Sequence, residues 1–472
     1  MSLRTLDEAA AALRDGTVTS AELLAEATAR ADALDGELGV YLHRFDDEAA
    51  GWAAAADADF AAGIDRGPLQ GIPVGVKDIL AMAEGPTTAQ SLVLDPAWGA
   101  GKDAIVVKRL KAAGAVITGK LSTMEFASGL PDPEKPFPLP RNPWDTSTWT
   151  GGSSSGTGAG VAAGMFLAGI GTDTGGSIRI PAIFCGVSGL MPTFGRTPNA
   201  GCVPLGYSLD HIGPLARSAR DCALMLSTYM GGDPRDPYAV DLPVPDLLAR
   251  AGGSLEGLTI GVERASHFGV VDDEDPAVAP AFEAAVAALE ALGATVVEVV
   301  LPYVAETATA AMITCAAESL AYHREDLRTR PGDYARSNRS MYALGALFSG
   351  ADYVQSQRVR RVTQRALAGV FAEVDAIVMP AATVAAPSYD TLLTGGVMDV
   401  LKGVHTMYWD AVGNPALVVP MGFNAGGLPL SLQIAARPFE EDVLVQVGDA
   451  FQRATDWHLR VPPIAAELGA GV

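Results

Sequence analysis

A lysine and two serine-containing, glycine-rich stretches could together perform nucleophilic chemistry. Lys77 lies in the apolar run GIPVGVKDIL, and serines occur in GGSSSG (151–156) and at Ser177 in TDTGGS. A serine hydroxyl is a weak nucleophile until a base removes its proton, and a lysine can be that base when its amine is neutral. Burial among apolar residues favours the neutral amine, a state that arginine does not reach. We therefore interpret these groups as a base, a hydroxyl relay and a nucleophile.

The pair Gly175–Gly176 directly precedes Ser177 and suggests a second role for the same stretch. Glycine permits unusual backbone torsions and the close approach of a ligand. We expect successive N–H groups from Thr174 to Ser177 to face one concavity and to stabilise the oxyanion of a tetrahedral intermediate. A side chain at either glycine would then block the substrate carbonyl. The alternative is a tight turn between two buried elements.

Lys77 also has a purely structural interpretation. A lysine at the end of a strand can keep its ammonium in water while its carbon chain packs on apolar neighbours. Asp78 is the adjacent carboxylate, but consecutive side chains of a strand point to opposite faces of the sheet. We therefore do not expect Asp78 to neutralise Lys77.

Two other chemistries compete for the same Gly/Ser-rich stretch. GGSSSGTGAG could cradle a phosphate, but no G-K-[ST] follows and no acidic ribose partner is evident downstream. Gly152, Ser154 and Gly156 satisfy the G-x-S-x-G nucleophile elbow, which needs a strand directly before it and a histidine later in the chain. The preceding DTSTWTGG is a poor match to such a strand. None of the histidines has an evident aspartate partner at a strand end; they are His43, His211, His267, His323, His405 and His458.

Size, charge and cysteine content exclude several classes of protein. The 472-residue chain is 49% hydrophobic and carries a net charge of −22. This acidic surplus argues against a nucleic-acid scaffold, which needs Lys and Arg to neutralise phosphate. The N-terminus lacks the features of a signal peptide and no run is long enough to span a bilayer, so we expect a cytoplasmic protein. The cysteines show no C-x-x-C spacing and are expected to be reduced and buried; they are Cys185, Cys202, Cys222 and Cys315.

Apolar strands alternate with helices along the chain. LEGLTIGVERA followed by DPAVAPAFEAAVAALEALGATVVEVVLP predicts a strand–helix–strand unit in which Gly293 ends the helix. DAIVVKRLKAAGAVITGK predicts a helix ended by Gly114 and a strand from Ala115 to Thr118. Further strands are predicted at VDAIVMP, PALVVP and LPLSLQIAA. The pattern predicts an α/β fold: a single large domain with a mixed, mostly parallel β-sheet covered by helices on both faces.

We treat residues 1–472 as one domain with three regions. Residues 1–63 are Ala-rich and predict helices packed on the domain, residues 64–230 hold the chemical motifs, and residues 231–472 supply the rest of the sheet and the pocket loops. The Pro-, Asp- and Gly-rich segment 231–245 is interpreted as a crossing loop within this domain. The proline-dense LPDPEKPFPLPRNPWD predicts an ordered surface loop.

These motifs, in this order, resemble the amidase signature family. GGSSSGTGAGVAAGMFLAGIGTDTGGSIRIPAIFCGVSGLMPTFGR is similar to the family's long Gly/Ser signature, and PLQGIPVGVKDIL is similar to its lysine motif. RNPWD and YSLDHIGPLARSARD resemble flanking blocks, while GNPALVVPMGF and LPLSLQIAARPFEED resemble the C-terminal region. The similarity runs from Thr5 to Pro463 and implies the amidase signature fold.

The resemblance implies a Ser-Ser-Lys triad. In such a triad Ser177 is the nucleophile, Lys77 is the base, and Ser153 is the bridging serine that follows a cis peptide bond from Gly152. Ser154 is implied as a supporting hydroxyl. The implied oxyanion hole is formed by the backbone of Thr174, Gly175, Gly176 and Ser177.

Three positions near the triad have no implied catalytic role. Asp173 and Arg179 match the family, and we expect them to hold the loop in place. Ser155 departs from the family, which usually has glycine at this position. Because it lies beyond the bridging serine, we expect it to alter loop packing without removing the chemistry.

The implied activity is hydrolysis of a carboxamide bond through a serine acyl-enzyme, which yields a carboxylic acid and ammonia or an amine. No metal or organic cofactor is implied. The alternative is the glutaminase (A) subunit of a tRNA-dependent amidotransferase, which has the same triad but works with partner subunits. A catalytically silent protein is disfavoured because all three triad positions are intact. We expect a small-molecule amide substrate, no nucleic acid or membrane partner, and a homodimer that acts without other gene products.

The substrate pocket is the least readable part of the sequence. We expect it to include TMEFASGLPDPEKPF (123–137) and the long segment YHREDLRTRPGDYARSNRSMYALGALFSGADY (322–353). We identify no arginine for the carboxylate of glutamine, so the sequence leaves the two activities open.

Overall fold

The fold is described from a computed structural model that covers residues 3–269, 271–396 and 401–467. Within these residues the helices are α1 (Leu6–Asp15), α2 (Ser20–Leu38), α3 (Asp46–Ala61), α4 (Ile105–Ala112), α5 (Ser155–Ala163), α6 (Arg179–Cys185), α7 (Ala219–Tyr229), α8 (Val278–Ala291), α9 (Val304–Thr329), α10 (Arg336–Leu344), α11 (Gly350–Val370), α12 (Tyr389–Thr394), α13 (Met407–Val412), α14 (Glu441–Thr455) and α15 (Pro463–Glu467). The strands are β1 (Tyr41–Arg44), β2 (Pro73–Lys77), β3 (Val116–Leu121), β4 (Arg141–Asn142), β5 (Asp145–Trp149), β6 (Ala168–Asp173), β7 (Ser188–Met191), β8 (His211–Ala216), β9 (Thr259–Glu263), β10 (Thr295–Val299), β11 (Ala376–Pro380), β12 (Ala416–Phe423) and β13 (Pro429–Ala436).

The two N-terminal helices begin at capping boxes. The Thr5 hydroxyl accepts the N–H of Glu8, whose carboxylate accepts the N–H of Thr5, and Thr19 and Glu22 repeat this arrangement at α2. Each box satisfies two N–H groups that the start of a helix otherwise leaves without partners. The apolar side chains of α1 lie in the largest core cluster, so this helix packs on the domain.

One eleven-stranded mixed sheet runs through the domain in the order β1–β3–β2–β6–β8–β7–β12–β13–β11–β9–β10. Parallel pairing joins β3, β2 and β6 in one block and β11, β9 and β10 in another. The strands between these blocks, and β1 at one edge, pair in the antiparallel sense. β4 and β5 form a separate two-stranded sheet.

Both faces of the large sheet are buried. The consecutive residues Leu417 and Val418 of β12 belong to two different core clusters, because successive side chains of a strand point to opposite faces. The first cluster includes side chains of α7, α8 and α14, and the second includes side chains of α2, α5 and α6. The prediction of one α/β domain with a large mixed sheet covered on both faces is confirmed.

The individual elements that the sequence predicted are found with small shifts of their ends. β9, α8 and β10 form the predicted unit, and Gly293 follows the helix at a φ of 101°, a left-handed torsion that favours glycine. α4 is followed by Gly114 at a φ of 77°, and β3 starts one residue later than predicted and extends to Leu121. The proline-dense loop contains the two-residue strand Arg141–Asn142, which lies between Pro140 and Pro143 and pairs with β5.

The sheet brings two strand ends to one point. β2 ends at Lys77 and its parallel neighbour β6 ends at Asp173, with Val76 of β2 paired to Ile170 of β6. The carboxyl ends of parallel neighbours lie at the same edge of a sheet, which is where ligands bind in open α/β folds. The residues that follow β6 are the Gly175–Gly176 turn, so this turn is held beside Lys77.

Candidate active site

Lys77 is fully buried and surrounded by hydroxyl groups. Its Nζ donates hydrogen bonds to Ser153 Oγ at 2.7 Å, to Thr172 Oγ1 at 2.8 Å and to Ser154 Oγ at 3.0 Å. Among the described residues, no carboxylate lies within ion-pair distance of this nitrogen. The lysine is therefore desolvated without a counter-ion in contact, which excludes the interpretation of an ammonium reaching solvent.

This environment changes the charge of the amine. Burial lowers the pKa of Lys77 from 10.5 to about 7, and the more distant Cys202, Asp173 and Asp210 oppose the shift without cancelling it. Desolvation has this effect because the charged form of a lysine loses more hydration than the neutral form. A large fraction of the amine is consequently neutral near pH 7, and a neutral amine can accept a proton.

A second lysine, Lys120 of β3, is equally buried but has a different environment. Its Nζ lies 2.7 Å from Asp78 Oδ1 and donates to Thr87 Oγ1 at 2.8 Å. Asp78 therefore points away from Lys77, as predicted, and neutralises Lys120 instead. The sequence analysis missed this pair, although a lysine in the apolar run AGAVITGK was the same signal that singled out Lys77. A carboxylate partner is what separates a structural lysine from a candidate base.

The Gly/Ser-rich turn before α5 supplies the hydroxyls. Gly152–Ser153 is a cis peptide bond, as the resemblance implied. Ser154 Oγ, besides accepting from Lys77, accepts the N–H of Thr172 at 3.2 Å and lies 3.3 Å from the Thr172 carbonyl, to which it donates. Ser155 Oγ donates to the Gly151 carbonyl at 2.8 Å, so the hydroxyl that departs from the family pattern stabilises the turn itself.

The nucleophile-elbow interpretation of Ser154 does not fit this arrangement. An elbow presents its serine at an exposed turn after a strand of the main sheet. Here Ser154 is fully buried, and the preceding strand β5 belongs to the small two-stranded sheet. Among the described residues, no histidine is hydrogen-bonded to Ser154.

The turn that carries Ser177 packs directly against the Gly/Ser-rich turn. The Ser177 carbonyl accepts the N–H of Ser154 at 3.2 Å, and Ser177 is only half-buried. Gly176 has a φ of 132°, and a Cβ there would collide with the Thr406 side chain. A Cβ on Gly175 would meet only the flexible end of Met407, at 3.1 Å. Gly176 is thus required by backbone torsion, which the glycine pair suggested, and by Thr406, which the sequence did not indicate.

The Asp173 carboxylate holds the Ser177 turn in place through hydrogen bonds. It accepts the N–H groups of Gly176 and, at 3.1 Å, of Ile178, and it is paired with Arg179 at 3.0 Å. Burial by itself would raise the pKa of Asp173, but the Arg179 guanidinium outweighs burial and holds this pKa well below its usual range. An ionised carboxylate that accepts three backbone N–H groups, the third from Arg179 at 3.3 Å, fixes the shape of the turn, which is the structural role expected of Asp173 and Arg179.

Arg179 has a further partner that the sequence did not indicate. Its guanidinium donates to Asp410 Oδ2 at 2.5 Å and to the Thr406 carbonyl at 2.8 Å, and both acceptors lie at or near the start of α13. Burial, together with the negative charge of Asp173, raises the pKa of Asp410 well above its usual range. Arg179 thus ties the Ser177 turn to a segment more than two hundred residues away in the chain.

The two segments expected to form the substrate pocket pack against each other. Asn338 Nδ2 donates to the Glu125 carbonyl at 2.7 Å and to Ser128 Oγ at 3.0 Å, and Glu125 Oε2 accepts the N–H of Ala335 at 2.8 Å. The first segment also reaches the triad, since the N–H of Met124 donates to the Ser153 carbonyl at 3.0 Å. Their role in binding substrate stays a prediction.

Three further properties of the described residues bear on function. In the ranges 3–269, 271–396 and 401–467, no cluster of three His, Cys, Asp or Glu side chains is arranged to bind a metal ion. Over the same ranges, no helix combines the length and apolar character that a membrane span requires. The four cysteines are free thiols: Cys185 and Cys222 are buried, and Cys202 and Cys315 are partly exposed.

Comparisons with known proteins agree with this picture. The profile of the Amidase family matches residues 22–445. A protein of Chloroflexus aggregans named as the A subunit of glutamyl-tRNA(Gln) amidotransferase is 39% identical over 484 residues, and the alignment covers 98% of both chains. A protein of the same name from Roseiflexus sp. strain RS-1 is 40% identical over 489 residues, and the alignment covers 98% of this chain and 99% of the relative. A solved structure described as a vestigial protein complex that reveals the evolutionary origins of an s-triazine catabolic enzyme has a TM-score of 0.88 and 32% identity, covering 95% of this chain and 98% of that one.

The family match over residues 22–445 places the chain in a class of enzymes that hydrolyse carbon–nitrogen bonds. The chain belongs to the amidase signature family.

The comparisons also correct the expectation about partners. We expected a homodimer that acts alone on a small molecule, with no nucleic acid involved. This expectation is wrong: relatives with about two fifths of their residues identical over nearly the whole chain are named as subunits of a glutamyl-tRNA(Gln) amidotransferase. The reason for the error is physical, since the triad is the same with or without partner subunits and an interface between subunits leaves no short motif in the sequence.

Proposed function

We propose that this chain is the ammonia-releasing glutaminase (A) subunit of a tRNA-dependent amidotransferase, and that it hydrolyses the carboxamide of glutamine through a serine acyl-enzyme. The observation that carries the chemistry is the buried Lys77 Nζ, 2.7 Å from Ser153 Oγ with only hydroxyl groups as contacting partners among the described residues. The names of the relatives support the assignment of the chain as a subunit of an amidotransferase.

The first step is activation of the nucleophile. The neutral amine of Lys77 takes the proton of Ser153, and Ser153 in turn takes the proton of Ser177, whose oxygen attacks the amide carbon. A base with a pKa near the working pH is effective in such a transfer because it is largely unprotonated yet still basic. Ser154 and Thr172 hold the amine in place by their own hydrogen bonds, so that its lone pair is directed along one path.

The second step is stabilisation of the oxyanion. We assign this role to the N–H groups of Thr174, Gly175 and Ser177, for which the described part of the chain offers no acceptor. The N–H of Gly176 donates to Asp173, so we remove it from the donor set that the resemblance implied. One well-placed donor of this kind contributes about 10²–10³ in kcat.

The third step is release of products. The carbon–nitrogen bond breaks, the proton held on the relay passes to the leaving nitrogen, and ammonia departs from a Ser177 ester. Water, deprotonated by the same relay, then attacks the ester and yields the carboxylic acid. The sum is amide plus water giving acid plus ammonia, and in an amidotransferase the ammonia is the nitrogen donor for the second substrate.

A second candidate is hydrolysis of a different small amide within a protein complex. This candidate is favoured by the similarity in fold to the structure described as a vestigial protein complex that reveals the evolutionary origins of an s-triazine catabolic enzyme. Both candidates use the same three residues, and they differ in the group bound beside the amide and in the fate of the ammonia.

One set of measurements tests the mechanism and the setting separately. A fluorophosphonate probe is expected to label Ser177 in the purified chain, and Ser177→Ala is expected to abolish labelling. Label on Ser154, with near-normal turnover of Lys77→Ala, would refute the triad. Ammonia release is then compared between glutamine and a panel of aliphatic and aromatic amides, and the tagged chain is isolated from its host. Activity on glutamine alone, with a larger subunit in fixed ratio, is the expected result; activity on other amides but not on glutamine would favour the second candidate.

A further inference from the structure

A short loop beside the Ser177 turn is organised by one carboxylate. Asp210 Oδ1 accepts the N–H of Gly206 at 3.0 Å, and Oδ2 accepts the N–H of Leu205 at 3.0 Å. The same Oδ1 accepts the hydroxyl of Thr174 at 2.6 Å. Asp210 therefore closes the loop 205–210 on itself and attaches it to the first residue of the Ser177 turn.

Thr174 is the point at which this attachment matters. It follows the last residue of β6, and within the described ranges its side-chain hydroxyl is hydrogen-bonded to Asp210 alone. Its methyl group lies against Gly206, where a Cβ would come within 3.3 Å of it. Asp173 holds the opposite side of the turn through the N–H groups of Gly176 and Ile178. The turn is thus fixed by two carboxylates, one on each side.

The loop is also anchored on its far side. Ser208 donates its N–H to Glu318 Oε2 at 2.9 Å and its hydroxyl to Glu318 Oε1 at 2.8 Å, and the Ser208 carbonyl accepts from Arg360 at 2.9 Å. Glu318 lies on α9 and Arg360 on α11. Helices that are distant from the Gly/Ser-rich signature therefore set the position of the loop, and the loop sets the position of Thr174.

We propose that Asp210 is a positioning residue for the oxyanion turn: by holding the Thr174 hydroxyl, it fixes the N–H groups of Thr174 and Gly175 where the oxyanion forms. This inference rests on the proposed function, because it assigns those N–H groups to the oxyanion. Catalytic groups lose effectiveness when they move by more than about 0.5 Å, so the loss of one hydrogen bond at this point slows the chemistry. Binding of the uncharged ground state depends less on these donors.

The test compares Asp210→Asn with Thr174→Val. Asparagine has one acceptor oxygen where Asp210 has two, so its NH₂ group faces either the N–H of Leu205 or the Gly206 N–H and the Thr174 hydroxyl, and in both cases it weakens the loop that holds Thr174. Valine keeps the shape of threonine without its hydroxyl. Each change is expected to lower kcat for ammonia release, and the rate of fluorophosphonate labelling of Ser177, by roughly 10- to 100-fold with KM changed less than about threefold. The double variant is expected to be no slower than the slower single variant, because both changes weaken the same attachment of Thr174 to the loop 205–210.

Two variants separate this role from a loss of folding. Asp35→Asn is the matched control, since Asp35, near the end of α2, also accepts two backbone N–H groups, those of Val40 and Tyr41. It is expected to lower kcat by no more than the loss of folded protein. Thr174→Ser restores the hydroxyl, and its kcat is expected to be about tenfold or more above that of Thr174→Val. This comparison tests the positioning role even if Asp210→Asn does not fold.

The outcomes distinguish this inference from the proposed function. Labelling of Ser177 in the unchanged protein, together with full-rate labelling of Thr174→Val or with losses that multiply in the double variant, would refute the positioning role alone. Absence of labelling in the unchanged protein would refute the proposed mechanism and this inference with it.

Discussion

The pH dependence of the reaction follows from the environment of Lys77. Burial lowers the pKa of this lysine to about 7, so about half of its amine is neutral at pH 7. A lysine with the ordinary pKa of 10.5 would be neutral in roughly one molecule in 3,000 at that pH. We therefore expect kcat/KM to rise about tenfold per pH unit below pH 7 and to reach a plateau above it.

Substitution of Lys77 tests whether this proton transfer is the cause. Lys77→Arg keeps a cation and several donors but cannot release a proton at working pH, whereas Lys77→Ala removes the group entirely. Both variants are expected to lose about 10²- to 10⁴-fold in kcat, which corresponds to general-base catalysis. The assay is ammonia release across pH 5 to 10, with Lys120→Arg as the control for a buried lysine of the neighbouring strand.

Two results would refute this reasoning. If Lys77→Arg retained near-normal turnover, the lysine would act through its charge and not as a base. If the unchanged enzyme kept a flat profile between pH 5 and 8, the amine would not titrate in the range that its burial requires. A loss of activity in Lys120→Arg that matched Lys77→Arg would show that disruption of the buried strand ends, and not proton transfer, explains the loss.

Three further predictions concern stability. Lys77 binds its proton more weakly in the folded chain than in the unfolded chain, so its burial costs most stability below pH 7, and this cost declines as the pH rises toward 10.5. The free energy of unfolding of Lys77→Met, relative to that of the unchanged chain, is therefore expected to fall by about 2–3 kcal/mol between pH 6 and pH 9 in urea unfolding. A difference that stayed constant with pH would contradict this. Lys120→Met leaves Asp78 buried without its cation and is expected to lose about 3–5 kcal/mol in the same assay, a loss that Lys120→Met combined with Asp78→Leu should largely remove. Gly176→Ala forces a strained torsion and a collision and is expected to cost about 2–5 kcal/mol, whereas Gly175→Ala meets only a flexible methionine and should remain within about 1 kcal/mol; equal losses would show that the turn adapts to a side chain at either position.

The strand–helix alternation was readable because it is local. The helix ended by Gly293 and the strands on either side of it follow from hydrophobic periodicity and from the torsion that glycine permits, and neighbouring residues determine both. The order of strands in the sheet was not readable in the same way, since β7 and β12, which pair near its centre, lie more than two hundred residues apart in the chain.

The candidate base shows the limit of a signal based on residue type. Lys77 and Lys120 are both lysines in apolar strands, and the residues around them offer no reason to prefer either beyond the resemblance to a family motif. Their partners decide the difference: Lys120 meets the carboxylate of Asp78, whereas Lys77 meets only hydroxyls among the described residues. Burial lowers the pKa of both lysines, and the Asp78 carboxylate in contact with Lys120 opposes this shift, whereas no carboxylate contacts Lys77 among the described residues.

By itself the sequence predicted which residues carry the proposed chemistry, from the residue types that a nucleophile, a relay and a base require and from the resemblance to a family motif, and this assignment stays a prediction. It also determined that a glycine pair precedes Ser177. The tertiary structure decided why Gly176 must be glycine, which N–H groups remain for an oxyanion, and which distant side chains hold the turn. Thr406, Asp410 and Asp210 approach the turn from other parts of the chain. Contacts of this kind arise when the sheet brings separate segments to one edge, and no local pattern of residues encodes them.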